Sequence, residues 1–249
     1  MYDLNIHLPI GNKKKYKDLI SEDLLLEGDN LINAYLYHKK NIEKFNTGAN
    51  FMLFSKGLKP EDIRNFKKNI SLDFESHLTW LVDFRDSQVI DRIHDMKEAG
   101  INGIKFHSYI QLIEDKDIVR CLKVAKLASN LNLSIFIDAS YGSTKMYKFD
   151  NLKLAAAIIE NLNDVPIVIL HSGGSRVIEA LHLAQSSNNV FLETSFTLPY
   201  YKGSSIQDDI AFAYKKLGPN KIIYGSDFPY VTFEDSLYET ECFFKKYNF

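Results

Sequence analysis

The chain has 249 residues, 45% of them hydrophobic, and a net charge of −2. That is enough apolar material for one sizeable core, and the near-neutral balance excludes nucleic acid or an anionic membrane as an expected partner. Two cysteines, Cys121 and Cys242, show no CxxC spacing, so they read as two buried thiols of a reducing compartment, not as a zinc or redox motif.

The first residues, MYDLNIHLPIG, lack the basic and then apolar regions of a secretory leader, and no run nears the ~18 apolar residues of a membrane span. The expectation is a soluble cytoplasmic protein forming a single domain over residues 1–249. The first β-rich run is Asp3–Leu8. Lys15–Asn46 then reads as helical, in two helices broken near Gly28-Asp29. A second run, Asn50–Ser55, precedes a helix opened by Pro60-Glu61-Asp62, with proline and acids in its first turn. The third run, Thr79–Arg85, leads to Ser87–Ala99, where Val89, Ile90, Ile93 and Met96 share a face and Gly100 ends the helix.

The fourth run, Gly103–Ser108, is followed by a helix over Asp117–Leu131. The fifth, Ser134–Ala139, is followed by a helix capped by Asp150 and running to Leu162. The sixth, Pro166–Ser172, precedes Val177–Gln185 with Ser175 as its cap. The seventh, Val190–Ser195, precedes Ile206–Leu217, which stops at Gly218-Pro219. The eighth, Lys221–Asp227, precedes a last helix capped by Asp235. Eight strands, each followed by helix and several of them continuously apolar, predict a (β/α)8 barrel. An open doubly wound sheet is the runner-up, but no GxGxxG follows the first strand.

Active groups of such barrels sit at the C-terminal ends of the strands. Here those ends carry ionisable residues. Alternation puts Asp3, Asn5 and His7 on one face of strand 1, with Leu4 and Ile6 on the other, and Lys105 and His107 on one face of strand 4. Strands 5, 6 and 8 end at Asp138, His171 and Asp227. Strand 7 carries Glu193, and strand 3 carries Asp83 and Arg85 as an expected ion pair. Singly, each has a plain structural explanation: a strand-end Asp caps the next helix, and a buried Lys snorkels. Together they do not, because burying so many polar groups without partners is costly. A shared site for a substrate, a metal or both supplies the partners, and mixed His and Asp donors suit a divalent ion.

Four separated segments, DLNIHLP, GINGIKFH, VILHSGGS and IIYGSDFPY, resemble the amidohydrolase superfamily, in the group that includes metal-dependent decarboxylases and dicarboxylate lactonases. The resemblance implies one divalent ion, with His7 and Asp227 as ligands and Asp227 also as general base. It casts His171 as the group that orients the water or the substrate carbonyl. The chain departs from the family at Asn5 and Asp138, each standing where the family has a histidine ligand. The set Asn5, His7, Asp138 and Asp227 is richer in oxygen, so manganese or magnesium joins zinc as an expected ion. Lys105, His107 or Arg85 would hold a substrate carboxylate. The expected activity is hydrolysis of a small carbonyl compound by metal-activated water, in a protein that could form homo-oligomers. Open alternatives are a metal-free lactonase-like hydrolase, a non-oxidative decarboxylase, and a degenerate barrel that binds a metabolite or partner.

Overall fold

The computed structural model describes residues 1–8, 30–54, 58–70, 73–141 and 144–249. Eight parallel strands follow one another around a nearly closed barrel in chain order. They are β1 (Tyr2–His7), β2 (Gly48–Leu53), β3 (Glu75–Leu81), β4 (Gly103–His107), β5 (Ser134–Asp138), β6 (Ile167–Leu170), β7 (Val190–Glu193) and β8 (Ile222–Ile223). Between and after them run α1 (Leu31–Phe45), α2 (Pro60–Asn69), α3 (Val89–Ala99), the short α4 (Ser108–Gln111), α5 (Ile118–Asn130) and α6 (Asn151–Ile159). The series ends with α7 (Val177–Ser186), the short α8 (Thr197–Tyr200), α9 (Ile206–Leu217) and α10 (Phe233–Lys246). The expected break at Gly28-Asp29 and the helix before it lie outside the described residues.

Regular pairing ends early in β8, and the chain closes the barrel with single bonds to β1. Leu4 N donates to Tyr224 O (3.0 Å), Asp227 N to Asn5 O (2.9 Å) and His7 N to Phe228 O (2.7 Å). These bonds bring Asp227 beside Asn5 and His7. Outward-facing strand residues such as Phe51, Trp80, Ile104, Ile137 and Ile169 pack under the helices in one large apolar cluster. Inside the barrel, Met52, Phe136, Val168 and Leu170 form a second cluster joined by Leu4, Phe54 and Phe191. Leu4 departs from the expected alternation, which put it on the face opposite Asn5. A register irregularity between Asp3 and Ile6 turns it inward.

Most helix boundaries follow the sequence signals. Asp150 Oδ1 accepts Leu152 N and Lys153 N at the start of α6, and Gly100 ends α3 in the left-handed conformation (φ 115°). Two expected caps are corrected. Thr232, not Asp235, caps α10, because its hydroxyl accepts Asp235 N. Arg176 occupies the cap position of α7, with no capping bond from Ser175 or any other side chain. Ile90 is exposed, so the buried face of α3 is Val89, Ile93, Met96 and Ala99. Cys121 is buried as expected, while Cys242 is exposed.

Gly225 is required by a close approach. A Cβ at this position would lie 2.0 Å from Glu193 Oε1 and 2.9 Å from Asn5 Cβ. Gly225→Ala should therefore lower stability by about 1–3 kcal/mol through overpacking, read as a lower denaturation midpoint in urea.

Candidate active site

The inward faces of the strands form stacked levels. Lys105 on β4 pairs with Phe136 on β5, which is level with Val168 on β6 and Phe191 on β7. One step toward the C-terminal end, His107 pairs with Asp138, which is level with Leu170. An apolar level thus underlies a polar one. Lys105 starts in the apolar level and extends its charge into the polar one.

Asp138 is the junction of the polar level. Its Oδ2 lies 2.9 Å from Lys105 Nζ and 3.2 Å from His171 Nε2, and its Oδ1 accepts Ser140 Oγ (2.7 Å) and Ser140 N (3.2 Å). His107 Nε2 stands 3.5 Å from Oδ1. Burial alone would raise the Asp138 carboxyl, but His107, Lys105 and His171 hold it well below the usual carboxylate range. For His171 the balance goes the same way. Burial favours the neutral ring, yet the Asp138 charge outweighs it and lifts the pKa to about 9. As an imidazolium, His171 donates Nε2–H to Asp138 and Nδ1–H to Ser195 O (3.1 Å).

A second group forms around β1, β7 and Asp227. His7 Nε2 lies 3.2 Å from Asp227 Oδ1. Burial lowers the His7 pKa, so a neutral ring donates to the carboxylate. Asn5 Nδ2 donates to Ser195 Oγ (2.8 Å) and approaches Asp227 Oδ1 (3.5 Å). Ser195 Oγ in turn donates to Glu193 Oε2 (2.8 Å), whose carboxylate also accepts the backbone N–H of His171 and of Ser195. Burial raises the Glu193 pKa against these donors. His107 is pushed down to about 3 by burial, so it is neutral.

His171 and Asp227 both adopt left-handed backbone (φ 58° and 64°), as does Ser172 (φ 50°). Non-glycine residues reach this region at some cost, and such strain concentrates where a side chain must be aimed. Aromatic rings surround the polar groups. Phe54 and Tyr230 meet His7 edge-on, Tyr109 meets His107 at 4.3 Å, and Phe196 meets His171 at 6.0 Å.

A family model described as amidohydrolase matches residues 77–245. This chain belongs to the amidohydrolase family. It is an enzyme of the amidohydrolase type. Solved structures share its fold at low identity. A probable 2-pyrone-4,6-dicarboxylic acid hydrolase from Acinetobacter baumannii, with citric acid bound, is 16% identical with a TM-score of 0.62, covering 99% of this chain and 94% of that one. An uncharacterised TIM-barrel protein from Bordetella bronchiseptica is 11% identical with a TM-score of 0.69, covering 97% and 90%. A 4-oxalomesaconate hydratase from Rhodopseudomonas palustris is 12% identical with a TM-score of 0.59, covering 97% and 88%. No curated protein sequence matches the chain.

Of the residues expected to bind a metal or substrate or to act in catalysis, Asn5, His7, Lys105, His107, Asp138, His171 and Asp227 are buried and lie together at one end of the barrel. Arg85 stands apart. Its half-exposed guanidinium donates to Gln111 O, Leu112 O and Asp117, so it pairs with Asp117 and not with Asp83. Ser195, Ser140 and Tyr109 join the site unforeseen. Tyr109 and Ser140 hydroxyls are 2.5 Å apart, linking α4 to Asp138. A signal existed for two of them, because Ser195 and Ser140 each lie two residues beyond a strand-end acid and so share its face.

Divalent metal is usual in the amidohydrolase superfamily. The donors here do not fit one as arranged. Among the described residues no three of His, Cys, Asp or Glu form a metal-holding group. Asp138 is engaged by an ammonium and an imidazolium, and Asn5 turns its N–H groups, not its oxygen, toward Asp227.

Two outcomes are expected. Asp138→Asn leaves Lys105 and His171 buried without their counter-ion and should destabilise by about 3–5 kcal/mol in denaturant titration. His171 has a folded pKa of about 9 against 6.5 for the ordinary ring, so its stabilising contribution is complete below pH 6.5 and is lost as pH rises through about 9. Urea midpoints should fall across that window, and the fall should flatten in His171→Gln.

Proposed function

We propose that this enzyme hydrolyses a small carbonyl compound bearing a carboxylate, with Asp227 as general base. The observation supporting this best is the His7–Asp227 couple, a carboxylate fixed at 3.2 Å by a neutral imidazole beside two buried cations. In this reading Asp227 takes a proton from water as the water oxygen attacks the carbonyl carbon. The tetrahedral oxyanion is met by the charge of the His171 imidazolium. Both of its N–H groups are engaged, so it acts as a fixed charge in a low-dielectric site. When the carbon–oxygen bond to the leaving group breaks, Asp227 returns the proton to that oxygen. Lys105 and His107 hold the substrate carboxylate. His107 Nδ1 is buried with no hydrogen-bond partner among the described residues, which suits an incoming group.

Activation of the water by zinc, manganese or magnesium needs a ligand set that these residues do not offer as arranged. Substrates of the structural neighbours suggest the first probe. Turnover of 2-pyrone-4,6-dicarboxylate, followed by ultraviolet absorbance with product analysis, should be detectable in the wild type. Asp227→Asn should lower kcat by about 10²–10⁴-fold, the usual contribution of a general base. Should both Asp227→Asn and His171→Ala turn over a confirmed substrate normally, the mechanism is wrong. Release of carbon dioxide in place of ring opening would assign decarboxylation.

A further inference from the structure

The barrel mouth gathers two strand-end carboxylates, Asp138 and Asp227, and three histidines, His7, His107 and His171. Each histidine lies in the electrostatic field of Asp138, and His7 and His171 also lie in that of Asp227. Such a set attracts a cation. One is already built into the chain. Lys105 is completely buried on β4, level with Phe136, and its stem rises through the apolar level. Its ammonium ends 2.9 Å from Asp138 Oδ2 and 4.7 Å from the centre of the Phe54 ring. Among the described residues it makes no hydrogen bond. The contact is therefore one of charge with charge and of charge with ring face.

We infer that the Lys105 ammonium is the resident cation of this site and that it keeps a divalent ion from binding among His7, Asp138 and Asp227. Lys105 Nζ stands 2.9 Å and His171 Nε2 3.2 Å from the same Asp138 oxygen, Oδ2, so that carboxylate is already met by positive charge. A divalent ion bound at about 2.1 Å from Asp138 Oδ2 would lie within about 5 Å of the ammonium, a repulsion that a low-dielectric cavity enlarges. Asn5 brings no charge to offset it, and its buried Oδ1 has no partner among the described residues.

The catalytic consequence rests on the hydrolytic reading above, while the exclusion of metal does not. The test is calorimetric titration with zinc and with manganese, together with elemental analysis of chelator-treated and re-dialysed protein. The wild type should hold no stoichiometric ion. Lys105→Met should gain about one equivalent, bound at least about tenfold tighter than by the wild type. Lys105→Arg, which keeps the charge, should remain free of metal. Stoichiometric binding at micromolar zinc or manganese by the folded wild type overturns the inference. So does a folded Lys105→Met that binds no tighter than the wild type. If Lys105→Met fails to fold, the wild type and Lys105→Arg decide: metal on either refutes, and metal on neither supports. Lactone turnover is scored separately. Its absence from a metal-free wild type would count against the hydrolytic reading and leave the metal result standing.

Discussion

A lysine fully buried inside a parallel barrel is tenable only if something answers its charge, and in this protein that group is Asp138. The carboxylate sits one step above Lys105 on the neighbouring strand, close enough for direct ion pairing. The same carboxylate holds His171 in its charged form and fixes the ring between β5 and β7. Breaking this junction would strand two cations at once. The rest of the mouth is arranged around it: Ser140 bonds it and Tyr109 on α4 bonds Ser140, while the His7–Asp227 couple stands beyond it as a separate acid–base pair.

Two features of the barrel make the junction possible. Strand register stacks a polar level on an apolar one, so the lysine stem is buried in hydrocarbon while its head reaches a carboxylate. The closure of β8 on β1 is irregular and uses single bonds in place of a ladder. That irregularity lets Asp227 take a left-handed conformation and swing beside His7, and Gly225 leaves room for Glu193 behind it. Glu193 and Ser195 then tie His171 to Asn5, so strands distant in sequence act on one another through three side chains.

Much of the fold was legible because it depends on local signals. Continuous apolar runs such as Ile167–Leu170 and stops such as Gly100 report on their own few residues. Thr232 was missed as a cap because Asp235, three residues on, is an equally good capping type. Only the helix start decides between them. The site was legible as a list and less so as an arrangement. Strand ends and alternation brought seven of the candidate residues to one end of the barrel, and Arg85 was misplaced because alternation says nothing of where a long side chain ends. Asp117 and two backbone carbonyls draw it outward.

What the sequence determined by itself is the alternation of strand and helix, the barrel, and the strand ends on which most of the candidate residues stand. These follow from the period of apolar residues and from turn chemistry, which act over a few positions. Which donor meets which acceptor was decided by the tertiary structure. Asn5, His7, Asp138 and Asp227 suggested one shared ion on the page. In the fold Asp138 is claimed by Lys105 and His171, and Asn5 by Ser195. The reason is distance: an ion pair at 2.9 Å is set by the register between β4 and β5, which no single stretch of sequence contains.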